Sequence, residues 1–145
     1  MQYSTLLIGL LAAASSAFAA PAPNTRSEAV SAMADVPQWI IRSFTRTCND
    51  DDTSCEISFG VDTQIAPVTE CSYNVTGNPA SQTSTNGITC GPYTISSGWD
   101  PLGFTTWSVV DWSKHLIVWP AYSDAELVNG QPVTPDKSFA PQALP

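Results

Sequence analysis

The stretch WIIRSFTRTCNDDDTSCEISFGVD, residues 39–62, decides the fold. In its first arm Ile40, Arg42, Phe44 and Arg46 alternate with Trp39, Ile41, Ser43 and Thr45; in its second, Cys55, Ile57, Phe59 and Val61 alternate with Glu56, Ser58, Gly60 and Asp62. A period of two sends successive side chains to opposite faces of a β-strand. A polar loop separates the arms, and Cys48 and Cys55 close it on either side. The stretch therefore reads as a disulfide-stapled β-hairpin whose second arm has one apolar face.

Beyond the hairpin, residues 63–70 read as a crossing loop, and Cys71, Tyr73 and Val75 alternate with polar residues in a short half-buried strand. Asn86-Gly87 signals a turn ahead of a strand over residues 88–95, in which Pro92 demands an edge position or a bulge. Residues 96–103 read as a second loop carrying Trp99. The most apolar stretch follows, two strands over 104–110 and 115–119 joined at Asp111, Trp112, Ser113 and Lys114, a hairpin suited to the centre of a sheet. Asn129-Gly130 marks another compact turn, and the Pro-rich tail without alternation suits an extended strap. Many short strands and no helical period predict an all-β fold, a small disulfide-stapled antiparallel β-sandwich or partly closed β-barrel.

The beginning of the chain speaks to compartment. An apolar run from Leu6 to Ala14 precedes Ala17-Phe18-Ala19, small residues where a signal peptidase reads, so residues 1–19 are expected to be a signal peptide. The run is too short to span a bilayer. Residues 20–36 are small and Pro-containing, a flexible arm, and residues 37–145 form a single β domain. The expected product is secreted and extracellular, without membrane insertion. Five Lys or Arg against thirteen Asp or Glu give a net charge of −8, which argues against a nucleic-acid partner.

Cys48, Cys55, Cys71 and Cys90 are an even set behind that leader, without C-x-x-C spacing, which favours disulfides over a metal site. Of three possible connectivities, Cys48–Cys55 and Cys71–Cys90 are preferred: the first pair faces across one hairpin, and the second would close the next. Chain entropy assigns such loops about 2.5 and 3.3 kcal/mol, so reduction should unfold the domain.

Catalysis finds little to work with. His115 is the single histidine and lies in an apolar strand, and no G-x-S-x-G elbow is present. No catalytic residue, cofactor or metal is therefore expected, and the chain reads as a non-enzyme. Asp50, Asp51 and Asp52 lack the spacing of a calcium loop and read as a solvated hairpin tip able to touch a basic partner. Of five tryptophans, Trp99 and Trp112 fall in expected loops, where an exposed ring can stack on a sugar. Asn74-Val75-Thr76 is an N-glycosylation sequon on the outward side of its strand.

The segments WIIRSFTRTC, CEISFGVDT, CSYNVTG, CGPYTISSGW, FTTWSVVD, LIVWPAYSD and PDKSFAPQ together resemble a family of small cysteine-containing secreted proteins of filamentous fungi. That family includes elicitors of the plant hypersensitive response. The resemblance implies an extracellular effector or elicitor, with a plant surface receptor or an apoplastic protein as partner. Two other readings stand beside it. Exposed tryptophans would suit a protein that binds cell-wall polysaccharide, and a rigid stapled loop over 49–54 would suit a small inhibitor of host hydrolases.

Overall fold

A computed structural model describes residues 36–145. The expected leader over 1–19 lies outside them, as does all but the last residue of the expected arm over 20–36. Ten strands are found among the described residues: β1 (Trp39–Cys48), β2 (Ser54–Asp62), β3 (Thr69–Thr76), β4 (Thr85–Cys90), β5 (Tyr93–Asp100), β6 (Phe104–Asp111), β7 (Leu116–Val118), β8 (Ala121–Ser123), β9 (Lys137–Phe139) and β10 (Gln142–Ala143). They form two antiparallel sheets, one in the order β3-β2-β1-β9 and one in the order β10-β7-β6-β5-β4, with β8 beside the remaining half of β6. The architecture is a sandwich and not a closed barrel. As expected, β6 is central, with β5 on one side and β7 and β8 on the other.

The period of two in β2 translates directly into burial, since Cys55, Ile57, Phe59 and Val61 all face the core. In β1 the simple alternation fails. Ile41 and Phe44 are both buried although three residues apart, because a β-bulge between Arg42 and Thr45 inserts an extra residue, with Ser43 at φ +49°. Side chains hold the bulge in place. The Ser43 backbone N–H donates to Asp136 Oδ1 at 2.8 Å, and Arg42 donates to Asp62 Oδ2 through Nε at 3.0 Å and Nη2 at 2.6 Å.

The sequence reading of the connections needs correction, and His115 lies in the turn before β7 and not in a strand. Residues 63–68 do not cross between sheets but connect β2 to its antiparallel neighbour β3. Asn86-Gly87 is not a turn; it forms a bulge inside β4, where Gly87 supplies a φ of +71°. Pro92 does not interrupt a strand, since Gly91 at φ +53° and Pro92 are the two-residue turn joining β4 to β5. Residues 96–100 are strand and not loop: Ser97 occupies an inward position, where its Oγ meets Thr85 Oγ1 at 2.8 Å, so no apolar alternation announces it.

The chain pairs Cys48 with Cys55 and Cys71 with Cys90. The first bridge staples the β1–β2 hairpin. The second does not close a hairpin, as its spacing had suggested: it ties β3 to β4, the edge strands of different sheets. On the opposite side the tail is the expected strap. Gly130 N–H donates to Arg46 O at 2.9 Å and Val133 N–H to Phe44 O at 2.8 Å, after which β9 pairs with β1 and β10 with β7.

The strap is held electrostatically as well. Hydrogen bonds from Arg42, then from the Gln64 N–H, keep the Asp62 carboxyl below its usual value; Lys137, at 2.7 Å, and the Ser123 N–H do the same for Glu126. Carboxylates depressed in the folded state stabilise it above the unfolded value, and that stability is lost as pH falls through the folded one. The melting temperature should therefore stay level from neutral pH down to about 5 and fall below about 4. Arg42→Met should flatten part of that acid limb in a pH series of thermal melts.

Candidate functional site

The stapled tip of the first hairpin is built from its own side chains. Asn49 Oδ1 accepts from the N–H groups of Thr53 at 2.8 Å and Ser54 at 3.1 Å, while its Nδ2 donates to Thr53 Oγ1 at 2.9 Å. Asp52 takes a φ of +50°, a conformation Asp tolerates better than most residues. The tip is also fastened to the rest of the molecule. Asp52 Oδ1 accepts from Ser81 N–H at 2.9 Å, Oδ2 accepts from the Ser81 hydroxyl, and Asp52 O accepts from Ala80 N–H at 2.7 Å, docking the tip on the short 3₁₀ turn Ala80–Gln82.

The three consecutive aspartates thus divide. Asp52 is a structural clasp, whereas Asp50 and Asp51 are exposed and make no hydrogen bond or ion pair among the described residues. Beside them runs an open groove of about 330 Å³, lined by Arg46, Asn49, Asp50, Asp52, Ser81 and Asn129. Arg46 is mostly covered, its Nη1 donating to Ser81 O at 3.2 Å and lying 3.5 Å from Asp124 Oδ1. With Arg46 committed, the rim presents negative charge.

Asn129 was missed as a site residue. Its Oδ1 accepts from Cys48 N–H at 2.6 Å and its Nδ2 donates to Cys48 O at 3.2 Å, so the side-chain amide copies a neighbouring strand beside the disulfide. The sequence signalled only a turn there. Cys48 Sγ, Cys55 Sγ and an Asp52 oxygen lie within 4.8 Å of one another, but the sulfurs are bonded to each other and the carboxylate is spent on Ser81. The grouping offers no thiolate to a metal.

The other expected site residues lie elsewhere. Trp112 is 59% exposed in the β6–β7 turn, its Nε1–H donated to Thr94 Oγ1 at 3.0 Å. Trp99 sits within β5, half-buried, with its Nε1–H donated to Asp124 Oδ2 at 3.0 Å. Trp119, which sequence reasoning assigned to the end of a strand, is 45% exposed. Asn74 is exposed on β3, an edge strand, opposite Glu56. His115 is exposed in the β6–β7 turn at φ +52°. Two further carboxylates are engaged within the fold: Asp111 is buried and accepts from Ser113 Oγ at 2.6 Å, and Glu126 is paired with Lys137.

Two bridged sheets, an acidic stapled tip and a tail closing the far side define a class: small, cross-linked, all-β proteins with a stapled loop displayed at the surface. Comparison with known sequences gives the family. The family model described as Effector TSP1 matches residues 40–144, and the chain belongs to that family. A relative from Hypocrea virens (strain Gv29-8 / FGSC 10586), itself named Effector TSP1, is 49% identical over 151 residues covering the whole of both chains. The resemblance to fungal effectors drawn from the cysteine and aromatic segments is thereby supported.

Proposed function

We propose that the protein is a secreted effector perceived at the plant surface by a receptor or an apoplastic protein, triggering a defence or hypersensitive response through recognition and not through catalysis. The observation that carries this reading is the tip over 49–53, disulfide-stapled and clasped by Asp52, which displays Asp50 and Asp51 in a fixed conformation. A loop ordered beforehand loses little entropy on binding, and its uncompensated charge steers a basic partner toward it. Membership of an effector family and two disulfides, bonds that persist in oxidising compartments, support the extracellular setting.

Infiltration of purified protein into a leaf tests the reading, with cell death and an oxidative burst as readouts. The native form should elicit a response and the reduced, alkylated form should not. A response to both forms would instead indicate a linear epitope, and none to either would reject the elicitor reading. Asp50→Asn with Asp51→Asn should lower potency about tenfold while leaving the melting temperature unchanged, since neither side chain holds the fold. Asn74 carries the glycan in this reading, and Asn74→Gln should reduce the mass of the secreted protein by that of one glycan.

A further inference from the structure

The two sheets turn unlike faces to solvent. Outward positions of the four-stranded sheet include Arg42, Glu56, Asp62 and Glu70. In the six-stranded sheet, Ile95, Trp107 and Val109 point into the core, so their neighbours Thr94, Ser96 and Gly98 on β5 face outward opposite Val110, Ser108 and Thr106 on β6. These six positions carry hydroxyl groups, one glycine and one valine, Val110, which is itself covered, and no ionisable group. An indole stands at each end. Trp112 is bonded to Thr94, and Trp119 lines an open groove of about 160 Å³ with Ser96, Gly98, Thr106 and Ser108.

Nearly half or more of each tryptophan is exposed, and neither belongs to the core cluster. A flat, uncharged track of small hydroxyl residues between two exposed aromatic rings has a specific chemical complement. Sugar rings present C–H faces that stack on indole and equatorial hydroxyls that exchange hydrogen bonds with Ser and Thr. Charge narrows the choice further. The six positions have no cation to hold a uronate or phosphate and no carboxylate to hold a basic chain, Asp100 at the next outward position of β5 accepts from Leu102 N–H at 2.8 Å, and the net charge of −8 repels acidic polymers. Measured along β5 from Thr94 to Ser96 and Gly98, the two indoles serve points about 7–14 Å apart, a span suited to an extended ribbon-like polymer.

We infer that the outer face of the six-stranded sheet binds an uncharged β-1,4-linked glucan chain, stacked on Trp112 and Trp119 and hydrogen-bonded by Ser96, Thr106 and Ser108. This surface shares no residue with the acidic groove and does not depend on the elicitor reading. The test is depletion of the purified protein from solution by microcrystalline cellulose, beside chitin, a β-1,3-glucan and polygalacturonate.

Cellulose should retain the protein in high salt. Trp112→Ala and Trp119→Ala should each weaken retention about tenfold and the double variant should abolish it, with Asp50→Asn unaffected. Thermal melts of the variants confirm that the sandwich is intact. Retention on chitin or β-1,3-glucan alone would overturn the assignment of the polymer. Undiminished retention of the double variant would overturn the site, and no retention of the native protein on any of the four would overturn both.

Discussion

Phe44→Ala is expected to destabilise the protein by about 3–5 kcal/mol, enough to leave it only marginally folded at ambient temperature. Phe44 is 1% exposed and stacks on Phe59 from its own sheet, at a centroid distance of 5.3 Å, and on Tyr122 of the facing sheet at 4.4 Å. The edge of Trp107 meets it at 4.6 Å. Truncation loses both the buried area of one aromatic ring and its contacts with three others, and a rigid β-sandwich closes poorly over the void. Urea denaturation of the oxidised protein measures the effect. A loss below about 1 kcal/mol would mean that the two sheets are not joined through this ring.

The second large effect belongs to the bridge between sheets. Replacing Cys71 and Cys90 together by Ala should cost about 3.3 kcal/mol by loop entropy, and lower the melting temperature by roughly 10–20 °C. The Cys48–Cys55 bridge closes a shorter loop within a hairpin that backbone hydrogen bonds already align, so its removal should cost less, about 2.5 kcal/mol. Thermal melts of the two double variants, each retaining the other bridge, test this order. Equal melting temperatures would show that the link between sheets contributes nothing beyond an ordinary staple.

The parts of this fold that were legible in the sequence are those where one residue type serves one face. β2 alternates along its length because it lies inside its sheet, where Cys55, Ile57, Phe59 and Val61 meet the core. Legibility fails where the backbone departs from a period of two or where a polar pair sits inward. The bulge at Ser43 moves Phe44 to the opposite face from its expected one, Asn86-Gly87 spends a turn signal on a bulge, and Ser97 hides a strand by bonding to Thr85. The aspartate tip was readable as a tip. The roles of Asp52, Ser81 and Asn129 were not, since they arise from contacts across 29 and 81 positions that no local pattern encodes.

The strap also has a temporal meaning. The bulge in β1, among the first described residues, donates its Ser43 N–H to Asp136, and the Arg42–Asp136 contact spans 94 positions. Until β9 arrives, one edge of β1 is an unpaired row of backbone donors and acceptors, open to pairing with another chain. A chain emerging N-terminus first therefore carries an unsatisfied edge on β1 until β9 has been made. Closure of the sandwich should wait for β9 instead of proceeding strand by strand as the chain is made.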